Sequence, residues 1–250
     1  MSILKHSNNS KSILKHLIQN RKNQFEPEMY PLSSRPFGKS WEEWAALWCN
    51  WLLSIPKPIS PALDTTGANC FHNQNNQNVW YLAGSFYNEK TIVRKCKIPK
   101  DRSIFFAILD KEDSFAEDLD LSTKEQLKDR AKRSMDKVIH LEASVNEIQL
   151  KNVYDYRIQS IYFDLIFPTD PVYDVKPGLT CSVVDGYFVF LKPFPPGNHK
   201  IHFAGELLIS DDKVKKQLTR DSVYRPYWNK IKDSQRFKLD IAYDVDIDYR

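Results

Sequence analysis

The stretch Phe237–Asp248, FKLDIAYDVDID, decides the fold. Phe237, Leu239, Ile241, Tyr243, Val245 and Ile247 fill one set of alternate positions, and Lys238, Asp240, Asp244, Asp246 and Asp248 fill the other. Side chains alternate between the two faces of a strand, so this segment has one buried side and one wet side. A sheet of such strands must cover its apolar face with a second layer. Working back along the chain, Leu141–Val145, Glu147–Leu150, Tyr156–Phe167, Ser182–Lys192 and His199–Ile209 read as further strands, and the strand that opens at Phe237 continues to Tyr249. Phe194-Pro-Pro-Gly-Asn-His199 is a turn, because proline presets φ and glycine supplies a left-handed corner. Val79–Ala83, Thr91–Ile98 and Ser103–Leu109 add three more strands, and the acidic stretch Asp110–Asp120 reads as an exposed loop.

Two helices interrupt the pattern. Ser40 and Glu43 form a capping box ahead of Trp41, Trp44, Trp48 and Trp51, which recur at spacings of three and four, and Pro56, Pro58 and Pro61 end the run. The indole stripe is either a core face packed on a sheet or the lining of a carbohydrate groove. Ser122 and Glu125 make a second capping box, opening a charged helix to about Val138 that suits the domain surface. The fold class is therefore mainly β (α+β): one antiparallel β-sandwich-like domain over residues 36–250, with a Trp-rich helix and one charged surface helix. Residues 1–35 form a basic arm containing the repeat Ser2-Ile-Leu-Lys-His6 and Ser12-Ile-Leu-Lys-His16. Residues 211–236 form a basic insertion before the last strand, with Lys213, Lys215, Lys216, Arg220 and Arg225 among Tyr224, Tyr227 and Trp228.

Composition narrows the function. Apolar residues make up 42% of the 250, a globular balance, and no run approaches the ~18 apolar residues of a membrane span. A net charge of +4 is too mild to argue for nucleic acid. The N-terminus lacks the apolar core of a signal peptide, so the expected location is the cytoplasm or a non-Sec export route. Four cysteines do not read as a disulfide scaffold. There is no phosphate-binding glycine loop, dinucleotide fingerprint or GxSxG elbow, which sets aside the usual nucleotide enzymes.

Chemistry-bearing residues gather in Asp64–Gly84, DTTGANCFHNQNNQNVWYLAG. Cys70 and His72, alternate residues on an extended segment, could act as nucleophile and base with Asp64 or Asn73 orienting the imidazole. Asp64, Thr66, Asn73, Gln74 and Trp80 are candidate ligand contacts. His72, His199 and His202 are candidate metal ligands with Glu206 beside them, although residues three apart on a strand point to opposite faces. Zinc there, or calcium on the aspartates of the last strand, are the only cofactors the sequence offers; otherwise none is expected.

Several segments taken together resemble a known family. They are Ser40-Trp-Glu-Glu-Trp44, Asp64-Thr-Thr-Gly67 with Cys70, Val79-Trp-Tyr-Leu-Ala-Gly84, Arg94-Lys-Cys-Lys-Ile-Pro99, Ala143-Ser-Val145 with Tyr156-Arg157, Val184-Asp-Gly-Tyr187, and Leu191 to Phe203. Over most of residues 40–209, and in this order, they are similar to uncharacterised, mostly bacterial β-sandwich proteins of a secreted or envelope type, with no established activity. The resemblance implies one continuous domain. It also places Cys70 and Cys96 where such proteins carry cysteine, so the two are either a disulfide pinning the polar loop to the sheet or a pair of buried thiols. The chain differs in lacking an export signal, in its Asn/Gln-rich loop and in the 211–236 insertion.

Three functions follow as expectations. The first is a non-enzymatic binding protein using the Asp64–Gln77 loop and nearby aromatics to hold a protein, small molecule or glycan. The second is a hydrolase or metal-dependent enzyme near Cys70, His72, His199 and His202. The third is an anionic-surface binder acting through the arm and the insertion.

Overall fold

A computed structural model describes residues 25–86, 90–117, 120–209 and 235–249. The arm up to residue 24 and residues 210–234, most of the expected insertion 211–236, lie outside the described residues, whereas Arg236, expected at the end of the insertion, opens the last strand. In chain order the elements are α1 (Trp41–Leu53), β1 (Val79–Tyr81), β2 (Ile92–Ile98), β3 (Ser103–Ser114) and α2 (Lys124–Met135). They continue with β4 (Val138–Val145), β5 (Ile148–Gln149), β6 (Arg157–Gln159), β7 (Phe163–Phe167), β8 (Gly178–Leu191), β9 (Gly197–Leu208) and β10 (Arg236–Ile247).

The strands form two five-stranded sheets: β1-β3-β8-β6, with β7 also on β8, and β2-β10-β9-β4-β5. Leu239, Ile241, Tyr243, Val245 and Ile247 point inward from β10 and are all buried, as the alternation requires. They meet the first sheet through aromatic rings: Phe106 stacks on Phe203 at 4.6 Å, and Phe203 on Tyr243 at 6.3 Å. The outward residues of β10 reach neighbouring strands, Asp246 pairing with Lys97 at 3.7 Å and Asp240 with His202 at 2.9 Å. The result is a mainly-β sandwich with two helices. Among the described residues no helix is long and apolar enough to cross a membrane.

The strands are not all antiparallel. β1 runs parallel to β3, and β2 parallel to β10. The chain leaves the first sheet after β1, makes β2 in the second, and returns as β3, and that crossover brings β3 back in the direction of β1.

α1 lies on the outer face of the first sheet. Its capping box is in place, with Glu43 N bonded to Ser40 Oγ and Ser40 N to the Glu43 carboxylate. All four of its indoles are buried, which makes the stripe core and not a groove. Each indole N–H finds a carbonyl: Trp41 that of Pro31, Trp44 that of Pro36, Trp48 that of Leu82 and Trp51 that of His72. α2 opens one residue later than the sequence indicates, on a Thr123–Gln126 capping box, and buries Leu127, Ala131 and Met135.

The acidic stretch is the main departure from the sequence reading. β3 runs on to Ser114, paired with β8 as far as Ser114↔Ser182, and Glu112, Asp113, Ser114 and Glu117 are buried. Lys111 and Arg130 reach the Asp113 carboxylate at 3.1 and 3.3 Å, so α2 covers a charged network there as well as an apolar one. A bulge between Ala107 and Leu109 turns Ile108 and Leu109 both toward the sandwich core. Leu109 fits because Gly205 faces it; a Cβ there would stand 2.4 Å from Leu109 Cγ. At the other end of β8, Tyr30 N donates to Phe190 O, Met29 bridges to Leu191, and Phe25 packs on Phe194 at 4.9 Å. Residues 25–35, the end of the expected arm, are thus seated on the sandwich.

Candidate functional site

The polar loop lies along the edge of β2 that β10 leaves open. Thr66 O accepts from Lys95 N at 2.8 Å. Gly67, at φ +90°, approaches so closely that a Cβ would fall 2.1 Å from Lys95 O. Only glycine satisfies both the left-handed angle and that contact. Asp64 folds the turn: its carboxylate accepts from Thr66 N at 2.8 Å, Thr66 Oγ1 at 2.7 Å and Asn69 N at 2.8 Å. Burial pushes the Asp64 carboxyl up, but the hydrogen bonds from Asn69 and Thr66 outweigh it and hold it below the ordinary carboxylate range.

Gln74 stands in for a strand. Its amide donates to Cys70 O and Tyr81 O and accepts from Tyr81 N, at 2.8–3.0 Å. Asn76 Oδ1 accepts from Asn78 N and Val79 N, and Trp51 Nε1 holds His72 O from the helix side. Beneath the loop sits Arg94, almost wholly buried. It donates to the carbonyls of Asp64, Ala83, Gly84 and Ala62 and to the Tyr243 hydroxyl, at 2.7–3.2 Å. A guanidinium suits this role because its donors fan out in one plane.

With its inner groups engaged, the loop turns other side chains outward. Phe71 is 60% exposed and its ring lies 4.3 Å from that of His72. Asn73, at φ 53°, is exposed, as are Asn75 and Gln77. Of the sequence-derived ligand contacts, Thr66 and Asn73 are exposed, Asp64 and Gln74 brace the loop, and Trp80 is buried.

Cys70 and Cys96 come together, Sγ to Sγ at 2.7 Å, both as free thiols. The hydrogen bond between them holds the Cys70 thiol below its ordinary range and pushes that of Cys96 up. No hydrogen bond joins Cys70 to the His72 ring among the described residues, so the structure brings Cys70 to a second thiol and not to a base.

The imidazoles are not brought together. His199 is buried, with Nδ1 bonded to Asn146 and Nε2 to Pro195 O, so both ring nitrogens are occupied. His202 points to the other face of β9 and pairs with Asp240. Among the described residues no group of three or more His, Cys, Asp or Glu side chains is placed to hold a metal ion.

Sequence reasoning missed one cluster. A cavity of about 50 Å³ under α1 is lined by Trp48, Cys49, Asp110, Glu112, Tyr173 and Leu239, among others. Burial pushes the Asp110 carboxyl up to about 7, with Lys111 opposing, and raises Glu112 as well. Burial, with the Glu112 and Asp110 carboxylates, pushes the Cys49 thiol well up. Glu112 accepts a hydrogen bond from Ser182 Oγ, and Glu117 and Lys111 oppose the rise of its carboxyl. A space this size takes a few waters. The signal was present: no Gly, Pro or Asn separates Leu109 from Ser114, so nothing breaks the strand. A larger open groove, about 690 Å³, crosses the outer face of the second sheet between Lys95, Lys97, Lys200, Asp244 and Asp246.

No family model, no curated protein and no solved structure matches the chain.

Proposed function

We propose that the protein is a non-enzymatic binding protein whose recognition surface is the outward rim of the 64–77 loop, and that its ligand is a glycan. The observation that carries this reading is the division of labour within the loop. Asp64, Gln74 and Asn76 spend their hydrogen bonds on the loop itself, while the Phe71 and His72 rings and the amides of Asn73, Asn75 and Gln77 face outward. A frame ordered before binding spares the entropy of ordering it afterwards. An exposed aromatic face takes the apolar side of a sugar ring, and flanking amides both donate to and accept from hydroxyls. The hydrolase reading has less support, because the Cys70 thiol lies against Cys96, and the anionic-surface reading depends on segments outside the described residues.

The test is titration with a panel of soluble oligosaccharides, followed by tryptophan fluorescence, since Trp51 is bonded to the His72 carbonyl. Phe71→Ala should weaken binding about five- to tenfold, the worth of roughly 1 kcal/mol of aromatic contact. Saturable binding unchanged by Phe71→Ala and by Asn73→Ala would place the ligand elsewhere. Turnover of hydrolase substrates that is lost in Cys70→Ala would replace binding with catalysis.

A further inference from the structure

The Cys70–Cys96 contact spans the seam between the polar loop and β2, and the backbone sets it independently of the sulfurs. Lys95 N donates to Thr66 O, Cys70 N to Gly67 O at 3.1 Å, and Gln74 Nε2 to Cys70 O at 2.9 Å. Gly67 brings the loop into direct contact with the Lys95 backbone. The two residues differ in setting. Both belong to the buried cluster that holds Trp80, but Cys70 is on the loop, 8% exposed and next to the open Phe71 ring, whereas Cys96 is inside a strand and 4% exposed.

We propose that Cys70 and Cys96 form a dithiol/disulfide site that reacts with hydrogen peroxide, Cys70 attacking and Cys96 resolving. The Cys70 thiol gives up its proton and its sulfur attacks one peroxide oxygen. The O–O bond breaks, the hydroxide that leaves takes the proton as water, and Cys70 becomes a sulfenic acid. The Cys96 sulfur then displaces the sulfenic oxygen, which departs with the Cys96 proton as a second water, and the S–S bond forms. Two thiols lose two electrons, and one peroxide becomes two waters. The thiol contact favours Cys70 for the first step by easing its ionisation, and Cys70 is the less buried of the two. The Cys70 contact and burial push the Cys96 thiol up, with Trp80 opposing, so Cys96 keeps its proton while Cys70 attacks. Cys49, beneath α1 and pushed toward the protonated thiol by burial and neighbouring carboxylates, is the internal control.

The experiment treats the full chain, reduced and folded, with hydrogen peroxide, blocks remaining thiols with iodoacetamide, and reads the digest by mass spectrometry. The expected result is loss of both free thiols with a Cys70–Cys96 cross-linked peptide that dithiothreitol releases, Cys49 remaining a thiol. In Cys96→Ser, dimedone should tag Cys70 as a sulfenic acid. Separate alkylated Cys70 and Cys96 after peroxide, or dimedone in place of Cys70 on Cys181, the half-buried free thiol of β8, would overturn the proposal. The wild-type arm stands whether or not the variant folds, and neither arm depends on glycan binding.

Discussion

Single residues carry much of the energetics. Arg94 replaces several backbone partners at once, and Arg94→Met would orphan the carbonyls it serves. The expected cost is about 3 kcal/mol, read as a lower urea midpoint with an unchanged slope. Asp110 acts in the opposite sense. Its folded pKa of about 7 lies above the roughly 3.9 of an unfolded aspartate, so the native state binds the proton more tightly. The associated stability is fully present below about pH 4 and drains away as pH rises toward and through 7. Urea melts at a series of pH values should show that decline, and Asp110→Asn should flatten it. Glu112 has its pKa raised by the same burial and contributes in the same direction. Some of this was legible in the sequence. Asp64 two residues before Thr66 is an ordinary Asx turn, whereas nothing local marks Gln74 as a surrogate strand, because its partner Tyr81 becomes a neighbour only after the chain has turned.

At the scale of elements, local pattern was informative where local forces decide. The Ser40–Glu43 box and the tryptophan spacing gave α1, and alternation gave β10. It misled where a distant partner decides: residues 110–114 are polar enough for a loop, but the ladder to β8 and the cations of Lys111 and Arg130 hold them in a strand. Strand direction was equally hidden, since periodicity is the same in parallel and antiparallel pairs. Particular turns and close approaches have physical reasons in the fold: Asp64-Thr-Thr-Gly67 closes on β2, Ala83 and Gly84 give their carbonyls to Arg94, and Gly186 lies against the backbone of Asp110. Gly67→Ala should therefore lift the loop off β2 at a cost of about 2 kcal/mol, seen as a lower melting temperature and altered Trp51 fluorescence. Ser40→Ala, losing only a cap, should cost about 1 kcal/mol.

Across the whole molecule, the two large apolar cores share β3 and β8, one on each face of the first sheet. Neither core survives if those strands separate, so unfolding should follow one cooperative transition, with fluorescence and circular dichroism curves superimposing. Two resolved transitions would mean that the α1 layer melts apart from the sandwich. The second sheet ends at β5, a two-residue strand, and at β2, a seven-residue strand whose outer edge the polar loop shields. A protease cut between Asp64 and Cys70 would loosen the Thr66 carbonyl from Lys95 N and uncover part of that seven-residue edge. Other nicked copies could then dock on it rung by rung, turning a monodisperse solution into fibrils.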